Sequence, residues 1–218
     1  MTIVDVDYDL LRRVSQGDEQ AFASLMRRHQ DRVYRLALRL LRLPQEAEDA
    51  AQEVFLKAYQ HADRFQPTGT VASWLNRITA NHCFNLLRAR KKRREVAWDD
   101  LEGEAGLGLA ATLPDPKAVD ALELVTGQEC AADIQGALDA LPENQRQALI
   151  LKRFGDFSYE EIGAIMGLSS QAVDGLIKRA RQTLRQKLAG YLQPEACRGR
   201  LPFLEKLCSL PTRGSLTW

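Results

Sequence analysis

The sequence is poor in the features that mark membrane, secreted and metal-bound proteins. No apolar run approaches the roughly 20 residues needed to cross a bilayer. The opening Met1-Thr-Ile-Val-Asp-Val-Asp-Tyr-Asp lacks the basic-then-apolar order of a secretion signal. Four cysteines (Cys83, Cys130, Cys197 and Cys208) lie scattered through 218 residues and form no CxxC pair. That argues against a disulfide scaffold and an ordinary zinc finger, and it suits a reducing, cytoplasmic compartment. No segment pairs β-branched alternation with tight hairpin turns, so sheet is not expected. No period of about 20 to 50 residues marks a solenoid. Absent too are an H-x-E/C-x-x-C set, a Walker loop and a clustered acidic metal site. Neither an enzyme nor a bound cofactor is expected, and His29, His61 and His82 stand alone as surface or core residues. The net charge of +1, from 30 basic and 29 acidic residues, is equally silent about partners.

The placing of those charges is informative. Between Arg12 and Arg42 eight arginines face three acids, and six of the seven residues 88–94 are basic. The sign then reverses. Residues 95–127 carry eight acids and one lysine, with Gly103, Gly106, Gly108, Pro114 and Pro116 and no helical apolar period. This is the pattern of an acidic flexible linker. Lys178, Arg179, Arg181, Arg185 and Lys187 restore positive charge with no acid among them. One such run is what a solvated helix face looks like. Two, separated by an acidic linker, suggest two modules on one polyanion.

Apolar spacing is helical on both sides of the linker. Phe22, Leu25, Met26, Val33, Leu36, Leu40 and Leu41 recur at three- and four-residue steps after Gly17-Asp18. Pro44, with Glu46, Glu48 and Asp49 behind it, opens a second helix whose stripe is Ala47, Ala50, Val54 and Ala58. Past Pro67-Thr-Gly69, a third helix carries Val71, Trp74, Leu75 and Ile78 into the basic run, with Trp74 read as core. Between Tyr159 and Lys178 the parts of a helix-turn-helix follow in order. Gly163 is the small residue at the helix crossing and Gly167 is the turn glycine. Ile162, Met166, Leu168, Val173 and Leu176 are expected to face inward, with a Ser158/Glu161 capping box ahead. The fold class expected is all-α, two small helical domains joined by the acidic linker.

Several stretches of this sequence resemble one known family. Leu141-Pro-Glu-Asn-Gln-Arg-Gln-Ala-Leu, Phe157-Ser-Tyr-Glu-Glu-Ile-Gly-Ala-Ile-Met-Gly and Lys178-Arg-Ala-Arg resemble region 4 of a bacterial RNA polymerase sigma factor. Gly17-Asp-Glu-Gln-Ala-Phe, Glu48-Asp-Ala-Ala-Gln-Glu-Val-Phe and Ser73-Trp-Leu-Asn-Arg-Ile-Thr-Ala-Asn, with the basic run, resemble region 2. Their order, with a short linker and no room for other regions, is similar to the extracytoplasmic-function (ECF) type of the sigma-70 family. The resemblance implies region 2 over residues 1–94, a linker over 95–127 and region 4 over 128–190. A terminal extension over 191–218 has no assigned role.

The resemblance also implies roles. Asp49, Gln52, Glu53 and Phe55 match the segment that grips a coiled coil on the polymerase clamp. Phe65, Arg77, Asn81 and Arg88 match positions that capture a flipped base of the melted −10 element and bind nearby phosphates. Arg146, Tyr159, Ser170, Gln171, Asp174, Lys178, Arg179 and Arg181 fall where −35 DNA is held. The partners implied are core RNA polymerase, promoter DNA and an anti-sigma factor. One departure concerns the recognition helix: Val173 is followed by Asp174-Gly175 where the family usually has Lys or Arg and then Ser. Asp174 either accepts from a cytosine amine or orients Lys178 four residues on. Cys197 and Cys208, eleven residues apart, are the one pair to weigh for a soft metal, and a pair alone makes no site. The competing reading is a freestanding helix-turn-helix regulator, which would have no use for the Asp49-to-Phe55 segment or the Phe65 loop.

Overall fold

A computed structural model describes residues 6–66, 69–99 and 128–189. In order, the elements are α1 (Val6–Val14), α2 (Glu19–Leu41), α3 (Pro44–Gln60), a 3-10 turn (Ala62–Arg64) and α4 (Val71–Asp99). Then come α5 (Gln128–Asp139), α6 (Glu143–Phe154), α7 (Tyr159–Met166) and α8 (Ser170–Lys187). No strand occurs among the described residues, as the all-α expectation requires. Most of the acidic linker, the terminal extension, Cys197 and Cys208 lie outside the described residues. Helix α4 continues through Asp99, past the boundary expected at Arg94. The basic run is thus helix, and its exposed Lys91, Lys92 and Arg93 are carried on a regular scaffold.

The chain divides into two compact units, residues 1–114 with 150–169, and residues 115–149 with 170–218. Residues 150–169 attach to the helices of the first unit. In that unit the buried Asn76 donates Nδ2 to the Gly155 carbonyl at 3.2 Å, and the Arg39 guanidinium lies 4.0 Å above the Phe154 ring. Burial, with Arg35 and Arg153 nearby, brings the Arg39 pKa down to about 10, so it stays charged at neutral pH.

Three helices start where their sequence dictates. The Asp18 carboxylate caps α2 by accepting from the Ala21 N–H at 2.9 Å. That bond, with Arg13 beside it, holds the carboxyl below its ordinary range. Helix α3 opens on Pro44, whose missing N–H costs nothing in a first turn. The capping box of Ser158 and Glu161 is formed in full. The first core joins Leu11, Val14, Leu25, Val33, Val54, Phe55 and Leu75, with Trp74 packed against it as expected. Truncating a side chain such as Leu25 there costs about 2–5 kcal/mol. The second unit is centred on Ile134, Ala137, Leu141, Leu149, Ala180, Leu184 and Leu188.

The turn before α8 needs both its glycines. Gly167 has φ +72, the left-handed region, and closes α7 with its N–H on the Gly163 carbonyl. A Cβ on Gly163 would stand 2.5 Å from the Leu168 carbonyl oxygen, too close for any side chain. Three inward expectations are corrected. Leu168 is 39% exposed, and Met166 and Leu176 are half-buried. The buried stripe of α8 is Val173, Ile177, Ala180 and Leu184, so Ile177 holds the place expected of Leu176.

Candidate nucleic-acid and partner interface

Helices α2 and α3 border an open groove of about 820 Å³. Its apolar lining comes from Phe22, Met26 and Tyr34 on α2 and Phe55, Leu56 and Tyr59 on α3, and Glu19, Asp31 and Glu48 add negative charge. The α3 residues sort by face. Ala47, Ala50, Val54 and Ala58 are small or branched and wholly buried, which brings the helices close together. Gln52 and Phe55 line the groove, while Asp49 and Glu53 stand exposed on the same helix outside its lining. Phe55 is only 4% exposed, so it forms a wall of the groove and not a protruding anchor. The protruding apolar residues are Leu56, 49% exposed, and Tyr59, 40% exposed. Sequence reading passed over both. The available signal was an apolar residue four positions after Gln52, off the core stripe.

Behind α3, the Lys57 ammonium lies 2.7 Å from Nδ1 of His82 on α4. Burial and this ammonium lower the His82 pKa, against a smaller opposing effect of Glu53, so the ring is neutral and its Nδ1 accepts a hydrogen bond from Lys57. Cys83 is buried beside it, and desolvation pushes its thiol up to about 12. A thiol so placed is inert.

At the end of the 3-10 turn, Phe65 is half-buried at the centre of an aromatic row. Its centroid lies 5.5 Å from Trp74, edge to face, and 6.1 Å from Tyr8 of α1. Asn81 is exposed on α4. Arg77 and Arg88 are exposed too, and in this conformation both are engaged inside the first unit. Arg88 donates to the Ile165 carbonyl at 2.6 Å, and Arg77 lies 3.7 Å from Glu161.

On α8, Gln171, Lys178 and Arg179 are exposed, and Ser170 and Arg181 are half-exposed. Asp174 meets the Lys178 ammonium at 2.7 Å, an i,i+4 pair with the acid N-terminal, the favourable order. The Arg179 guanidinium folds back over Gly175. Arg146 and Tyr159 make contacts within the protein. Arg146 is 4% exposed, its guanidinium donating to Glu143 at 2.7 Å, so no face of it is presented to a phosphate. Tyr159 is half-buried, with the Lys152 ammonium 5.2 Å from its ring.

Comparison with known proteins identifies the family. Residues 25–93 match Sigma-70 region 2 and residues 131–184 match Sigma-70 region 4. The chain is 38% identical over 179 residues to the ECF RNA polymerase sigma factor SigE of Mycolicibacterium smegmatis, covering 80% of this chain and 65% of that protein. It is 32% identical to the RNA polymerase sigma-H factor of Pseudomonas aeruginosa, covering 88% of this chain and 99% of the relative. With SigW of Bacillus subtilis the identity is 32%, over 82% of this chain and 94% of the relative. Among solved structures it resembles the sigma factor RpoE bound to the anti-sigma factor NepR from Bartonella quintana, with TM-score 0.55, 26% identity and coverage of 77% of this chain and 96% of that one. CnrH in complex with the cytosolic domain of CnrY is similar at TM-score 0.53 and 25% identity, over 85% and 99% of the two chains. The region 2 match removes the case for a freestanding regulator. No helix among the described residues is long and apolar enough to cross a membrane. With both sigma regions present in order, and with relatives matched over nearly their whole length, the chain belongs to the ECF type of the sigma-70 family, non-enzymatic initiation factors that direct RNA polymerase to promoters.

Proposed function

We propose that this alternative sigma factor divides its work among three surfaces, with region 2 over residues 1–94, a connecting linker over 95–127 and region 4 over 128–190. Core polymerase docks on α3. Asp49, Gln52 and Glu53 form a polar, acidic rim, while Leu56 and Tyr59 enter the partner beside the groove walled by Phe55. An apolar centre inside a charged rim is the arrangement expected of a strong protein interface. The observation that carries this reading is the joining of that groove and the Phe65 row within one compact unit.

The −10 strand is captured beside Phe65, with Asn81 on a base edge. Arg88 and Arg77 exchange the Ile165 carbonyl and Glu161 for phosphates. Region 4 holds −35 DNA through Gln171, Lys178, Arg179 and Arg181, with Ser170 at the start of the helix. The 2.7 Å pair favours Asp174 as the residue that aims Lys178, over a direct cytosine contact. The factor works in the cytoplasm, and the related sigma factors solved with NepR and CnrY support an anti-sigma factor as a further partner.

Charge reversal tests the core-binding surface. The Asp49→Lys/Glu53→Lys double variant should keep its helical circular dichroism and lose at least about tenfold in affinity for purified core polymerase, the scale of one interface hot spot. Undiminished binding by the folded variant would remove α3 from the interface.

A further inference from the structure

Helix α1 belongs to none of the surfaces assigned above, yet it stands against the Phe65 site. Leu11 and Val14 bury its inner face. Its outer end is fastened by Asp7, whose Oδ1 accepts from Arg28 Nε at 2.6 Å and whose Oδ2 lies 2.9 Å from Nε2 of the buried His29. The next residue is Tyr8. Its ring leans on Phe65 at a centroid distance of 6.1 Å and an angle of 50°, and the residue remains 39% exposed. Phe65 is closed on its other side by Trp74. The row Trp74–Phe65–Tyr8 therefore runs from the core to solvent, and its open end is Tyr8.

We propose that Tyr8 is a further DNA-contacting residue, stacking on a nucleobase of the melted strand next to the one held at Phe65. This rests on the reading of Phe65 as the −10 site. The chemistry suits a phenol ring, because every base offers a π face and a half-exposed aromatic offers one in return. Asp7 is the positioning residue. By bonding Arg28 and His29 on α2 it fixes the first turn of α1, and with it the base of the Tyr8 side chain.

The test uses holoenzyme assembled from core polymerase and the full chain, on a promoter taken from the factor's own start sites. The probe is a fork-junction duplex with 2-aminopurine replacing successive bases of the exposed strand. Tyr8→Phe keeps the ring and should bind and quench as the parent does. Tyr8→Ala should lower fork affinity roughly 5- to 100-fold and restore fluorescence at one base, a position different from that affected by Phe65→Ala. Tyr8→Leu fills the space against Phe65 without a π face, and it should fail as Tyr8→Ala does. If Tyr8→Leu matches the parent, the ring only packs and the proposal falls. Parent-like quenching by folded Tyr8→Ala overturns it as well. If Phe65→Ala alone leaves the fork signal untouched while Tyr8→Ala changes it, the Phe65 reading fails and the Tyr8 contact stands.

Discussion

Helices α4 and α8 both turn cations outward, yet they differ in what else they carry. Helix α4 is 29 residues long and is joined at its start by an aromatic row, Trp74, Phe65 and Tyr8. Helix α8 has 18 residues, no aromatic side chain and an outer face of Gln171, Lys178 and Arg179. Stacking platforms suit unpaired bases, whose faces are free. Hydrogen-bonding and cationic side chains suit a duplex, whose base faces are hidden and whose edges and phosphates are not. On the function proposed above, the unit holding α4 would melt and capture, and α8 would locate.

The sharpest way to break this comparison is Phe65→Ala. It should weaken open-complex formation by about 1–3 kcal/mol and leave −35 duplex binding unchanged. Permanganate reactivity of the −10 strand measures the first, and fluorescence anisotropy with a −35 duplex the second. An equal loss on the duplex would erase the distinction between the helices. Next in size, Arg179→Ala should lower duplex affinity for all sequences and reduce the slope of log K against log salt by about 1, if the contact is to phosphate. Selective loss at one base pair would instead make Arg179 a base reader.

Gly175→Ala is expected to act in the opposite sense. A Cβ there meets the Arg179 guanidinium at 3.5 Å, an ordinary contact, and alanine gains about 0.5–1 kcal/mol of helix stability over glycine. Thermal unfolding should show a rise, and a fall would mean that α8 needs the close approach of Arg179. The smallest effect belongs to Asp174→Ala. Loss of the pair with Lys178 should change duplex affinity by a few tenths of a kcal/mol, alike for all sequences. Altered preference at a single base pair in a randomised −35 library would restore the cytosine contact.

Much of this architecture was legible because it is local. Pro44 starts a helix, Ser158 and Glu161 close a capping box and Gly163-x-x-x-Gly167 makes a turn, each through neighbours within five residues. What escaped depends on distant partners or on which of two adjacent apolar residues turns inward. Leu176 and Ile177 look alike in sequence, and the stripe set by Ala180 and Leu184 selects Ile177. Arg88 reads as a DNA cation, but only the fold brings it to the Ile165 carbonyl. Leu56 and Tyr59 were hidden for the same reason, since an exposed apolar residue on α3 gains meaning only beside Phe22 and Met26 of α2.

The central claim, that this chain gives promoter specificity to polymerase, is tested most directly by transcription with purified core enzyme on a fragmented genomic library, with start sites mapped. Core plus this chain should initiate at a discrete set of sites that share a −35 and a −10 sequence and vanish when the chain is omitted or replaced by Asp49→Lys/Glu53→Lys. The same starts with and without the chain would contradict the account.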